Sequence, residues 1–220
     1  SIHDYYAVRI MMSEPELFSL HLRTLQTRTG DYGHHFLSRC LPACHFTAAD
    51  YVNAQRERRR MIAELAPVYA RYDALVSVGN GPAPSLALHR ELGSVDKWLK
   101  PSIGAFCSVT GAPALAICAG FSKSGLPLGM QLMGRPWEEA RLLQIAHAYE
   151  QATPWHRRHP EVSSAGRDAT HIDLDTHAAL RVDEAWRLRA AHAAERVGLR
   201  LAEEHMQLLI ESTPYALELA

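Results

Sequence analysis

Between Pro101 and Ser122 the chain carries no charged residue, and an uncharged stretch of that length is long enough to cross a bilayer as a helix. Its interior argues against a span. Gly104, Gly111 and Pro113 interrupt any continuous helix, because glycine weakens a helix interior and proline removes a backbone donor. Thr110-Gly111-Ala112-Pro113 is turn chemistry, and Ala114-Leu115-Ala116-Ile117-Cys118 has the length of one buried strand. The stretch therefore reads as helix, turn and strand of a soluble α/β protein. After a Phe121–Gly125 turn, Leu128–Met133 forms a second apolar strand, and Gly134-Arg135-Pro136 leads into a helix from about Glu138 to Ala152. On that helix Leu142, Ile145, Ala146 and Tyr149 share one face, with Glu138 and Glu139 at the positive end of the helix dipole.

Upstream, helix formers run from about Ile10 to Leu25 and are broken by Thr29–Gly33. Thr47 caps a long helix through the Arg56–Arg60 cluster to Leu65, and Pro67 is expected to kink or end it. Ala74–Ser77 reads as a short buried strand closed by Gly79-Asn80-Gly81-Pro82. Downstream, Asp183–Arg196 and Ala202–Glu211 are helical patterns separated by Gly198, and Pro214 is expected to divide off the end. Neither helix is long, so both should dock on the main body or on a partner.

Charge divides the chain in two. Residues 1–160 carry 17 Lys/Arg against 13 Asp/Glu, whereas 161–220 carry 6 against 11. Three units follow: 1–160 as main body, 161–170 as linker around Val162–Gly166, and 171–220 as a helical extension. The net charge of −1 offers no field for a polyanion, so neither nucleic acid nor an anionic membrane is an expected partner. Few cysteines and no secretory signal suit a reducing, cytoplasmic setting. The chain starts at Ser1 rather than Met and stops within a helical pattern, which reads as a fragment.

Candidate chemistry is sparse. Cys40, Cys44 and His45 have zinc-ligand side chains, but no second cysteine pair completes a set, so no metal and no cofactor are expected. The arginine cluster reads as a solvated helix face. Gly79-Asn80-Gly81 lacks the third glycine of a dinucleotide site, and reads instead as a turn lining a pocket. Ser163 and Ser164 lie in the linker, and Lys97, Lys100 and Lys123 stand at turns or boundaries, where no base is buried beside a nucleophile.

Four stretches together carry a family likeness: DYGHHFLSR (31–39), DYVNAQRERR (50–59), YDALVS (72–77), and the run from Ser108 through GLPLGMQLMGRP (125–136) to Pro160. They resemble the carboxyl-terminal part of the amidase signature family. The resemblance implies a partial α/β/α fold around a mixed central sheet, followed here by a small helical extension. It also implies hydrolysis of carboxamide C–N bonds: a serine attacks the carbonyl, a second serine on a cis peptide relays its proton to a lysine, and an acyl-enzyme is then hydrolysed.

The family places that triad upstream of the matched region, so this chain supplies no catalytic residue. Its expected contribution is scaffold, with Gly79, Asn80 and Gly81 lining the substrate pocket. Val78-Gly79 and Cys107-Ser108 depart from the family's usual Thr-Pro and Phe-Asn. A small-molecule amide is the expected substrate of the full-length parent, and a protein partner or self-association is expected from an exposed sheet edge. The alternative is a non-catalytic scaffold remnant or interaction protein whose helical tail, faintly similar to the small helical subunits of some amidases, binds a partner.

Overall fold

A computed structural model describes residues 1–79, 103–159 and 183–219. The chain opens with helix α1 (Ile2–Arg28), capped by Ser1 and longer at both ends than the sequence pattern marks. Helix α2 (His34–Cys40) and a 3-10 turn over Leu41–His45 follow. Helix α3 (Ala48–Arg71) starts at Thr47, whose hydroxyl accepts from the Asp50 amide while the Asp50 carboxylate accepts from the Thr47 amide. This reciprocal cap satisfies two donors that a helix start otherwise leaves open.

Pro67 does not end α3, which continues to Arg71. The proline sits in the last turns, where the loss of one hydrogen bond leaves the remaining ladder intact. Arg135 also secures that end, donating from Nε to the Tyr69 carbonyl at 2.6 Å and from Nη2 to the Tyr72 carbonyl at 3.3 Å.

Strand β1 (Leu75–Val78), helix α4 (Gly104–Thr110), strands β2 (Ala114–Phe121) and β3 (Pro127–Met133), and helix α5 (Glu139–Ala152) make the second part of the body. Gly111, at φ 72°, ends α4 in the left-handed conformation that glycine tolerates. The three strands pair in the order β1-β3-β2, antiparallel throughout, so the mixed pairing implied by the resemblance is not present among the described strands. Helix α5 lays Leu142 and Ala146 on Leu132, with Leu115, Ile117 and Ile145 around them. The fold class is α/β, as expected.

Helices α6 (Glu184–Arg196) and α7 (Glu203–Leu219) pack onto the first part of the chain. Their Ala190, Ala193, Leu208, Leu209 and Ile210 share one core with Phe18, Leu25, Leu37 and Leu41. Pro214 does not divide off the end, since α7 runs through it to Leu219. Ser212 and Thr213, just before the proline, donate their hydroxyls to the Leu208 and Leu209 carbonyls in the buried interface. The expected 161–170 linker lies outside the described residues.

Candidate functional site

Strand β1 is followed by Gly79, whose amide donates to the Gly129 carbonyl at 2.8 Å. A Cβ on residue 79 would stand 2.6 Å from that carbonyl oxygen, closer than carbon and oxygen approach without displacing backbone. Glycine is thus required here by the neighbouring strand. Asn80 and Gly81, the other expected pocket residues, lie outside the described residues.

The register places Ser77 directly opposite Gln131, and residues paired across antiparallel strands point to one face. Leu132 and Leu115 lie in the row that α5 covers, which Val76 continues onto β1, where it is exposed, so Ser77 and Gln131 belong to the opposite face. There the Ser77 Oγ and Gln131 Oε1 atoms are buried and have no hydrogen-bond partner among the described residues. A buried polar atom without a partner costs about 1–3 kcal/mol. This face, beside Gly79, is where the sheet is polar and incompletely satisfied. Sequence reasoning singled out Gly79 but missed Ser77 and Gln131; their opposition depends on register, which no local pattern of charge or glycine reveals.

The other candidates are committed to structure. Cys40 and Cys44 lie in the core shared with α6 and α7, and burial pushes both thiols up to about 12. His45 Nε2 meets Thr213 Oγ1 at 2.9 Å. Burial, reinforced by Arg196 and Arg189, pushes the imidazole down to about 4. In the arginine cluster, Arg60 pairs with Glu57 and Glu64 while Arg58 Nε donates to the Val109 carbonyl at 2.7 Å. Arg56, Arg59 and Arg60 are exposed, the solvated face that the sequence suggests. Lys123 is exposed in the β2–β3 turn, and Ser122 is tied there to Ser124 and the Leu126 amide. Lys97, Lys100, Ser163 and Ser164 lie outside the described residues.

The amidase family model matches residues 27–143, from the end of α1 into α5. The chain belongs to the amidase family. An amidase of Pseudomonas putida is 36% identical over 169 residues, covering 72% of this chain and 32% of that protein. A glutamyl-tRNA(Gln) amidotransferase subunit of Ralstonia pickettii (strain 12J) is 39% identical over 116 residues, covering 51% of this chain and 23% of that protein. The chain therefore spans about a quarter to a third of the length of these curated relatives.

Among solved structures, an amidase crystal structure superposes with a TM-score of 0.60 at 24% identity, covering 67% of this chain and 35% of the other. A second structure, from a vestigial protein complex that reveals the evolutionary origins of an s-triazine catabolic enzyme, has a TM-score of 0.57 at 24% identity. It covers 67% of this chain and 34% of the other. At these identities the likeness is one of fold. The family match stops before α6 and α7. No described helix is long and apolar enough to cross a membrane.

Proposed function

We propose that this chain is the carboxyl-terminal part of an amidase-signature hydrolase that cleaves carboxamide C–N bonds, with its Ser-cisSer-Lys triad in a preceding part of the parent protein. The match over residues 27–143, together with relatives of which the aligned part of this chain covers only 23% and 32%, carries this reading. In the reaction the resemblance implies, the nucleophilic Oγ bonds to the amide carbon, the C–N bond breaks with a proton delivered to the leaving amine, and water then hydrolyses the ester. This chain contributes the sheet. Gly79, Asn80 and Gly81 border the substrate pocket, and the Ser77–Gln131 face meets the preceding half. Residues 1–160 form the amidase portion, 161–170 the linker and 171–220 the extension, and the parent works in the cytoplasm on a small-molecule amide.

Within the described residues, Ser77 has no base beside its hydroxyl. A nucleophilic serine needs one. Purified chain incubated with short aliphatic and aryl amides should therefore show no turnover, and a serine-directed phosphonate should leave its mass unchanged. Co-expression with the preceding half of its parent should restore both turnover and phosphonate labelling. A stoichiometric adduct on the chain alone would overturn the assignment of the triad. Failure of the two halves to associate or to hydrolyse any amide would favour the scaffold reading.

A further inference from the structure

The turn that carries β3 into α5 holds Trp137, which among the described residues is the one non-glycine residue with positive φ, at 70°. The Glu138 amide donates to the Arg135 carbonyl at 3.1 Å, closing a four-residue turn with Pro136 and Trp137 at its centre. Proline followed by a positive φ is the type II pattern, whose second central position favours glycine because a side chain there crowds the backbone. The conformation persists because Arg135 clamps the turn, reaching Glu138 Oε1 at 3.2 Å and donating to the Tyr69 and Tyr72 carbonyls. That clamp holds the indole 92% exposed, more than any other large apolar side chain among the described residues. Trp137 thus strains the backbone of this chain and returns no burial to it.

More apolar surface lies open at the same corner. Met133 pairs with Leu75, so the turn leaves the sheet beside the start of β1. Helix α5 covers Leu132, Leu115 and Ile117 but stops short of β1, where Val76 is 65% and Val78 84% exposed. Among the described strands β1 is also an outer one, with no charged residue and no proline to discourage pairing. Resting on the reading of this chain as part of a longer hydrolase, we infer that Trp137 is the anchor on which the preceding part of the parent seats. The indole fills an apolar pocket of that part, and an apolar segment of the same part lies along β1 over Val76 and Val78. A large ring held rigid before contact loses little freedom on docking, which suits an anchor. Two observations favour the preceding part over a second copy of this chain. The family match runs through both β1 and Trp137, so the corner belongs to the amidase portion, and the larger share of each aligned relative lies outside the aligned part. An open strand edge beside an uncovered row is, moreover, what a sheet presents where its own fold is still to be completed.

Hydroxyl-radical footprinting of the chain, alone and co-expressed with the preceding part of its parent, tests the inference together with the affinity between the two. Trp137 should be heavily oxidised in the chain alone and protected several-fold in the complex. Trp137→Gly should weaken association by roughly tenfold or more. Its thermal midpoint alone should stay level with wild type or rise by a few degrees, since the change relieves the strained φ and removes no buried contact. Trp137→Phe, which keeps an aromatic ring in the same turn, should recover most of the affinity. A Trp137→Gly chain that assembles as tightly as wild type, or a Trp137 oxidised equally in both states, overturns the inference and leaves the hydrolase reading standing. Absence of any complex with the wild-type chain overturns both. Self-association of the chain alone that Trp137→Gly abolishes would assign the corner to a second copy, and a lowered thermal midpoint would assign the ring to this chain's own fold; either result also overturns the inference.

Discussion

His45 Nε2 and Thr213 Oγ1 lie 2.9 Å apart across 168 residues of sequence, and the direction of the bond follows from its neighbour. The Thr213 hydroxyl donates to the Leu209 carbonyl at 2.8 Å, so its oxygen accepts and the imidazole Nε2–H donates. The ring is neutral, held so by burial and by the nearby Arg196 and Arg189, which push it down to about 4. In the unfolded chain the same ring takes up a proton near pH 6.5. The unfolded state therefore binds more protons between those values. The stability this group contributes is complete above about pH 6.5 and falls as pH drops toward 4. Thermal melts of wild type and His45→Gln should differ by a few degrees near neutral pH, with the difference shrinking as pH is lowered through that window. A pH-independent difference would assign the titration elsewhere.

Leu209 is fully buried where α7 meets the α1–α2 part of the body. Leu209→Ala should destabilise the chain by about 2–5 kcal/mol, the cost of lost burial and the cavity left behind. Leu188, on α6 but 57% exposed, should change stability by no more than about 0.5 kcal/mol on the same substitution. Urea denaturation of the two variants checks this, and equal effects would mean that α7 is not part of the folded core.

The elements of the sheet module were legible because their signals are local. Gly111 and Pro113 mark the turn before β2, and the Leu142, Ile145, Ala146 pattern marks the face of α5. Helix ends at Thr47 and Asp183 were equally readable, since a capping side chain acts on amides two or three residues away. Pro67 and Pro214 misled because a proline's local cost is outweighed when the flanking turns are held by tertiary contacts. The composition shift after Pro160 suggested a distinct tail, yet α6 and α7 share a core with α1 and α2. Charge content reports the solvent face of a helix and says nothing of where its apolar face is buried. The Ser77–Gln131 pairing and the Glu14–Arg39 contact both join residues far apart in sequence, beyond the reach of motif spacing.

At Gly79 the constraint is backbone against backbone. Gly79→Ala should cost about 1–3 kcal/mol, because the new carbon meets the Gly129 carbonyl and one strand must shift. Gly30→Ala is the matched control: nothing lies within 4 Å of its added carbon, and its effect should stay within about 0.5 kcal/mol. Chemical denaturation distinguishes the two, and hydrogen exchange at the residue 79 amide, which should accelerate only in the variant in which β1 separates from β3, locates the damage. A Gly79→Ala protein as stable as its control would mean that the end of β1 does not approach β3 closely.

The four cysteines should differ in reactivity according to burial. The thiolate is the nucleophile toward an alkylating agent. Burial pushes Cys40 and Cys44 up to about 12 and Cys107 up to about 11, so near pH 8 their thiolate fractions are very small. Cys40 and Cys44 are also closed off sterically in the core beneath α6 and α7. Cys118 on β2 and Cys107 on α4 are both half-buried, and so more accessible than that pair. Timed iodoacetamide labelling of native chain, quenched and mapped by peptide mass spectrometry, should modify Cys118 first, Cys107 more slowly, and Cys40 and Cys44 only after denaturant is added. Leu209→Ala should expose Cys40 and Cys44 to labelling sooner than in wild type while leaving the Cys118 rate alone, since only the first pair shares a core with α7. Labelling of Cys44 at the Cys118 rate in native wild-type chain would show that α6 and α7 do not cover the body in solution.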